Sequence, residues 1–254
     1  YCTSGLDVMD YILSDATETP EGEDQWFSET VVRMPDGYVC YGPPDYAPDV
    51  TFLPALGKGY VTFGCCNNLA KINSQVMLLW ADILKAVPDS RLSLRTDTLD
   101  DEATAQRVYD RFQGLGISPE RITLAGKAPH KAFLGHYREI DMALDPFPYS
   151  GGLTTCEALW MGVPVISMAG ETFAGRHSAS HLHNVGLDDW VVQTAGDYLS
   201  LAKKHSRDLE KLSRLRASLR ERMIKSPLCD GVRYTRNLEA VYRRMWRDWC
   251  NTVS

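Results

Sequence analysis

The chain has 254 residues and a formal net charge of −6, with 27 lysines and arginines against 33 aspartates and glutamates. Hydrophobic residues make up 44% and charged residues 24% of the sequence. This composition is typical of a globular protein and excludes collagen-like, coiled-coil and disordered chains. The acidic balance argues against a general nucleic-acid-binding protein, which usually carries a basic stripe. Seven cysteines without a Cys-x-x-Cys pair indicate neither a disulfide framework nor a zinc ribbon.

Nothing in the sequence indicates a membrane segment or a secretory signal. The longest uncharged apolar run, residues 158–170, is too short to cross a bilayer and contains Gly162 and Pro164. No basic stretch precedes an apolar run in the way that a signal peptide requires. We therefore expect a cytoplasmic protein with reduced thiols and with neither nucleic-acid nor membrane partners. Because the chain begins at Tyr1 rather than at Met, we expect it to be part of a longer protein.

The elements fall into an irregular opening and a regular remainder. In residues 1–58 we predict short strands at 9–13 and 29–33, followed by a proline-rich linker with a boundary near residue 56. From residue 59 onwards, hydrophobic spacing predicts alternating strands and helices. The predicted strands are 60–64, 91–95, 121–125, 140–145, 163–168 and 190–193, and the predicted helices are 74–87, 100–115, 129–138, 154–161, 175–184, 196–224 with a break near Asp208, and 231–249.

This alternation predicts an α/β fold, in which right-handed βαβ units form a parallel sheet with helices on both faces. Such sheets bind ligands beyond the carboxyl ends of their strands. The loops that follow Gly64, Ala125 and Asp145 are therefore the places where we expect chemistry.

The loop after Asp145 is the most informative of the three. Gly151 and Gly152 allow close backbone approach, and Thr154 and Thr155 open a predicted helix. The unpaired N–H groups and the positive end of the dipole at a helix start favour an anion, so a pyrophosphate fits there.

Glu157 has two interpretations in this stretch. One turn into the helix, its carboxylate could accept hydrogen bonds from ribose hydroxyls. Alternatively, the spacing Thr154-x-x-Glu157 is that of a capping box, in which Glu157 only returns to the backbone of Thr154. Spacing alone leaves both interpretations open.

The other two loops carry basic residues. Lys71 follows the first strand of the regular region and could place a point charge on a phosphate leaving group. In the loop after Ala125, backbone groups near Ala128 could meet a planar base, while Lys127 or His130 could meet phosphate. The alternative for each lysine is an ordinary solvated side chain.

Metal-binding and nucleophile motifs are weaker. The sequence has no Asp-x-Asp, the element that holds a divalent ion on diphosphate in one class of sugar transferases. His177 and His181 share a helical face but lack a third ligand at a clear spacing. Ser150 stands at a strand-to-helix turn, yet Pro148 replaces the first glycine of a hydrolase nucleophile elbow. We keep an α/β hydrolase that uses Ser150 as a distant alternative.

Long ordered motifs resemble the catalytic region of the SPINDLY/O-GlcNAc transferase family of protein O-glycosyltransferases. The resemblance runs from Tyr1 to about Trp249. Its motifs are RMPDGYVCY at 33–41, YVTFG at 60–64, NNLAKI at 67–72, LDPFPYSG at 144–151, TTCEAL at 154–159 and MGVPV at 161–165.

The resemblance implies a GT-B architecture, in which two Rossmann-like lobes enclose a nucleotide-sugar donor. Residues 1–56 would then be the end of the N-terminal lobe with its linker. Residues 57–254 would be the donor-binding C-terminal lobe, whose last helix packs back across the cleft. Tetratricopeptide repeats that bind protein substrates are implied upstream.

The resemblance also assigns roles by position. Lys71 matches the lysine that neutralises the donor pyrophosphate and is the implied catalytic residue. The implied donor-binding residues are Asn68, Lys71, Lys127, Ala128, His130, Gly151, Gly152, Leu153, Thr154, Thr155 and Glu157, with the base near Lys127 and Ala128 and the ribose at Glu157. Animal members have His-Thr-Thr where this chain has Gly152-Leu153-Thr154, and an aromatic residue where it has Ala70. These departures indicate the SPINDLY and bacterial branch.

We therefore expect transfer of a sugar to Ser or Thr of proteins without a metal or another cofactor. UDP-GlcNAc is the first expectation for the donor. GDP-fucose is the alternative, because plant SPINDLY resembles this chain and transfers fucose. The general base, if the family uses one, would lie in the N-terminal part outside this chain. A fragment that binds nucleotide without catalysing transfer is the remaining alternative.

Overall fold

The computed structural model of the chain describes residues 3–253. Cys2, for which we predict a reduced thiol, lies outside the described residues. Among the described residues, no helix combines the length and the hydropathy that a membrane span requires. The strands and helices in chain order are β1 (Tyr11–Asp15), β2 (Thr30–Met34), α1 (Ala55–Lys58), β3 (Thr62–Cys65), α2 (Ser74–Ala86), β4 (Arg91–Arg95), α3 (Glu102–Gly114), β5 (Ile122–Ala125), α4 (His130–His136), β6 (Met142–Leu144), α5 (Leu153–Trp160), β7 (Val165–Met168), α6 (His177–Asn184), β8 (Val191–Val192), α7 (Ala195–Ser206), α8 (Leu209–Lys225) and α9 (Gly231–Val253).

The larger sheet has the strand order β5-β4-β3-β6-β7-β8, and all its paired strands are parallel. The chain runs outward from β3 to β5 and then returns to β6 on the other side of β3. This reversal places the carboxyl ends of β3 and β6 side by side, at the point where parallel sheets bind ligands. The predicted α/β class with a parallel sheet is confirmed.

The helix α2 shows how the sequence forms the layers around this sheet. Asn73 caps its start by accepting hydrogen bonds from the N–H groups of Gln75 and Val76. Its apolar stripe is buried against the sheet, with Trp80 and Ile83 completely inaccessible to solvent. Burying such side chains is the main favourable contribution to folding, roughly 1.5–3 kcal/mol for each large apolar residue.

Two smaller elements differ from the sequence predictions. The strand β1 lies two residues later than predicted, and α1, which begins after Pro54, was not predicted at all because the prolines indicated a linker. Pro54 is compatible with this helix start because the first N–H groups of a helix need no internal partner. The predicted break near Asp208 is confirmed, since the Asp208 side chain caps α8 through Lys211 N.

The N-terminal strands form a separate parallel pair, β1 with β2. This pair has its own apolar cluster, in which Val32 and Met34 pack with Val241 of α9. Tyr41, Leu53 and most of the later core residues belong instead to the larger core around the main sheet. The division of the chain at residue 56 remains a prediction.

Candidate functional site

The candidate site lies where the loops after β3 and β6 meet, beyond the carboxyl ends of these two strands. Three side chains from the β3 loop bond to the β6 loop or to the start of the helix that follows it. Asn67 Oδ1 accepts from Thr154 Oγ1 at 3.0 Å, Lys71 Nζ donates to Ser150 O at 2.7 Å, and Asn73 Nδ2 donates to Phe147 O at 2.8 Å. The two loops therefore form one rigid unit.

Lys71 is held at the centre of this unit. Besides its bond to Ser150 O, its ammonium lies 3.8 Å from the centroid of the Tyr149 ring, a cation–π contact. Burial lowers the pKa of Lys71, and the nearby Asp145 carboxylate opposes that change. A half-buried ammonium with few water contacts exerts a stronger field than a solvated one. The structure thus excludes the alternative of an ordinary solvated lysine.

The glycine turn, residues 145–152, is shaped by the buried Asp145. Asp145 Oδ1 accepts from Gly151 N at 2.7 Å, and Oδ2 accepts from Ser167 Oγ at 2.6 Å. Burial raises the pKa of Asp145 to about 6. A Cβ on Gly151 would lie 2.5 Å from Thr155 Oγ1 and 2.9 Å from Asp145 Oδ1, so any larger residue would have to displace these side chains.

The helix α5 starts immediately after this turn, at Leu153, with Gly152 as its N-cap and without a side-chain cap. The first N–H groups of a helix have no internal acceptor, and the dipole makes this end positive. Thr155 N already donates to Gly152 O at 3.1 Å, but no side chain caps the N–H groups before it, so those are available to an anion. At the start of this helix, Leu153 is exposed and Gly152 is partly exposed.

The capping-box interpretation of Glu157 is wrong. The helix begins one residue earlier than predicted, Thr154 lies inside it, and the Glu157 carboxylate bonds to His130 Nε2 at 2.7 Å. Burial raises the pKa of Glu157, while the His130 hydrogen bond lowers it. Thr155 is also committed elsewhere, because its hydroxyl bonds to Ser178 Oγ at 2.7 Å.

The third predicted loop lies at the outer end of the site. His130 joins it to the rest, since Tyr46 Oη is 2.9 Å from His130 Nδ1 and the other ring nitrogen reaches Glu157. Lys127 is exposed, and its backbone N–H donates to Asp100 Oδ2 at 3.2 Å. Ala128 lies between them and is only partly exposed.

Asn68 and Ser150 play different parts from those considered from sequence. Asn68 is exposed, and its Oδ1 caps a short 3₁₀ turn by accepting from Ala70 N, whereas the neighbouring Asn67 contacts the helix α5. Ser150 is 1% exposed, and its hydroxyl donates to Ala174 O. A buried hydroxyl with this partner is not an accessible nucleophile, so the geometry gives no support to a hydrolase.

Sequence reasoning missed Asn67, Asn73, Asp145 and Tyr149 as parts of the site. Asn73 carried one usable signal, because an asparagine before a predicted helix is a favoured N-cap. The others become visible only when the sheet order is known. Among the described residues, no three His, Cys, Asp or Glu side chains are grouped so that they could hold a metal ion. Metal independence remains a prediction.

Comparison with known proteins identifies the fold and the family of this chain. The fold is that of GT-B glycosyltransferases: sucrose-phosphate synthase from Thermosynechococcus elongatus superimposes with a TM-score of 0.63 at 16% identity, over 94% of this chain and 59% of that one. The profile described as Glycosyl transferase family 41 matches residues 53–238. The chain belongs to glycosyl transferase family 41.

Two further comparisons are more similar in sequence. A mutant of the O-GlcNAc transferase from Thermobaculum terrenum superimposes with a TM-score of 0.89 at 39% identity, over 100% of this chain and 48% of that one. The probable UDP-N-acetylglucosamine–peptide N-acetylglucosaminyltransferase SPINDLY of Solanum lycopersicum is 42% identical over 254 residues, and that of Arabidopsis thaliana is 40% identical over 252. Each match covers 98% of this chain but only 27% of the plant protein. The resemblance noted from sequence is confirmed.

Proposed function

We propose that this chain is the donor-binding part of a protein O-glycosyltransferase that transfers GlcNAc from UDP-GlcNAc to Ser or Thr of proteins. The observation that carries the proposal is the position of Lys71. Its ammonium lies against the glycine turn, next to the uncapped start of α5. The Lys71 ammonium and the positive end of α5 lie beside the same turn, and two such groups suit a diphosphate. The names of the relatives support UDP-GlcNAc as the donor.

The proposed chemistry is displacement at the anomeric carbon of the nucleotide sugar. As the glycosidic bond breaks, negative charge grows on the diphosphate that leaves. Lys71 and the first N–H groups of α5 are preorganised around that charge, so they stabilise the transition state more than the bound donor. Glu157, whose carboxylate is oriented by His130, would accept from the ribose, and the backbone near Ala128 would meet the base.

The rest of the proposal concerns the whole protein, because this chain covers only 27% of the length of the Solanum lycopersicum relative. Protein acceptors would be bound by tetratricopeptide repeats upstream, and the enzyme would act in the cytoplasm. No metal ion would take part, because Lys71 and α5 supply the positive charge at the diphosphate.

The test uses the full-length enzyme with Ser/Thr-containing acceptor peptides and either UDP-GlcNAc or GDP-fucose, with mass spectrometry of the product. We expect GlcNAc addition that persists in EDTA. Fucose addition from GDP-fucose would overturn the proposed donor, and loss of transfer in EDTA with recovery in Mg²⁺ or Mn²⁺ would overturn metal independence. Calorimetric titration of UDP into this chain alone separates a binding fragment from one without donor affinity.

A further inference from the structure

A buried acid–imidazole pair lies beside the candidate site and has no part in the proposed chemistry. Glu18, in the loop after β1, is fully buried, and its Oε1 lies 2.9 Å from His177 Nδ1 at the start of α6. The Tyr38 hydroxyl is 3.0 Å from the same nitrogen. The second oxygen of Glu18 has no hydrogen-bond partner among the described residues. The pair joins two segments that are 159 positions apart.

Side chains on both sides of His177 are also bonded to the N-terminal segment. Arg176 donates to both carboxylate oxygens of Glu23, at 2.6 and 2.8 Å. Ser180, one turn further along α6, donates to Asp15 Oδ2 at 2.7 Å. With these neighbouring side chains bonded to the N-terminal segment and its own Nδ1 bonded to Glu18, the imidazole of His177 is held in orientation.

That orientation sets a contact with the candidate site. The His177 ring lies edge-on to the Tyr149 ring, with centroids 6.0 Å apart and an interplanar angle of 65°, which is a favourable aromatic geometry. The Tyr149 ring also contacts the Lys71 ammonium, which lies 3.8 Å from the ring centroid. Glu18, His177, Tyr149 and Lys71 therefore form one continuous series of contacts.

We propose that His177, oriented by Glu18, is a positioning residue that holds Tyr149 against the Lys71 ammonium during sugar transfer. This rests on the proposed function, in which Lys71 stabilises the departing diphosphate. A buried ionisable pair adds little stability compared with apolar side chains of the same volume. What the pair adds is direction, because a carboxylate bonded to one ring nitrogen sets the orientation of an imidazole.

The test is a double-mutant cycle in the full-length enzyme, with His177→Ala and Lys71→Met made separately and together. With Lys71 present, we expect His177→Ala to lower kcat roughly 10- to 100-fold, because small misplacements of a catalytic group are costly. The donor KM should change by less than about threefold. With Met at position 71, His177→Ala should have no further effect on kcat, since effects that act through one group do not multiply.

Two further variants serve as a control and as a substitute for His177→Ala. His183→Ala, on the exposed face of the same helix, is the matched control and should leave kcat unchanged. If His177→Ala does not fold, His177→Phe keeps an aromatic ring among Tyr38, Tyr149 and Phe173 while removing the bond to Glu18. It should lower kcat only when Lys71 is present.

The outcomes separate this inference from the function on which it rests. An equal fall in kcat in both backgrounds, or no fall in either, in an enzyme that transfers sugar would overturn the positioning role alone. A wild-type enzyme that transfers no sugar to any acceptor would overturn the proposed function and this role with it.

Discussion

The glycine turn and the loop at residues 126–130 sit at opposite ends of the candidate site and are built differently. The backbone of the turn is hydrogen-bonded to the side chains of Asp145, Lys71 and Asn73. The 126–130 loop is more exposed, and His130 links it to Glu157. The side-chain bonds are therefore concentrated at the end of the site where charge would develop. Electrostatic stabilisation needs fixed groups, whereas a planar base can be bound by a looser surface.

Removing the positive charge of Lys71, at the glycine turn, should reduce activity more than any other change considered. Lys71→Met keeps the apolar stem, so we expect a folded enzyme whose kcat falls by roughly 10²–10³, or about 3–4 kcal/mol. Nucleotide affinity should fall much less, because the charge acts most strongly in the transition state. Steady-state transfer by the full-length enzyme measures this, with the exposed Lys85→Met as control. Activity within about threefold of wild type would refute the assignment of Lys71.

Asp145→Asn tests whether the turn rests on a buried carboxyl. Burial raises the pKa of Asp145 from its ordinary 3.8 to about 6. A raised folded-state pKa contributes stability that is present below pH 4 and is lost as the pH rises to 6. Asparagine does not titrate, so the free energy of unfolding of the variant should rise relative to wild type by up to about 3 kcal/mol over this interval. Urea denaturation at several pH values measures it, and a difference independent of pH would contradict the account.

Gly151→Ala tests the shape of the turn. A Cβ there would press on Thr155 and Asp145, and such overpacking typically costs about 1–3 kcal/mol in the free energy of unfolding. Gly135→Ala, inside α4, is the matched control, because its Cβ would have no atom within 4 Å and the residue is helical. Thermal or urea unfolding of both variants decides the point. If Gly135→Ala proved the more damaging of the two, the packing argument would be wrong.

Glu157→Gln tests the boundary between the two ends. Glutamine still accepts from His130 but carries no charge, so we expect the free energy of unfolding to change little. A ribose hydroxyl bonded to a charged acceptor gains more than one bonded to a neutral amide, and we expect UDP affinity to fall roughly tenfold. Calorimetric titration of UDP into both proteins measures this. Unchanged affinity would remove Glu157 from the donor site.

The smallest effect is expected at the exposed loop. Lys127→Ala should weaken UDP binding by less than about threefold, because a solvated charge at the surface contributes about 0–1 kcal/mol. The same titration measures it, ideally at two salt concentrations. A loss as large as that of Glu157→Gln would show that the loop closes over the nucleotide, and the contrast between the two ends of the site would disappear.

The amino-acid sequence alone predicted the alternation of strands and helices, the loops that carry the site, and the candidate residues Lys71, Gly151 and Glu157. These follow from local signals, since hydrophobic period, glycine and helix caps act over a few residues. It also left Glu157 between two roles, because a spacing of three residues is the same for a cap and for a ligand.

Which side chains meet depends on how the whole chain folds. Lys71 reaches Ser150, which is 79 positions away, and His177 reaches Glu18, which is 159 positions away. Such pairs depend on the strand order β5-β4-β3-β6-β7-β8, which places β6 next to β3. Periodicity does not encode strand order. Strand order follows from burying both faces of the sheet under helices with right-handed connections, and those constraints act on the whole chain at once.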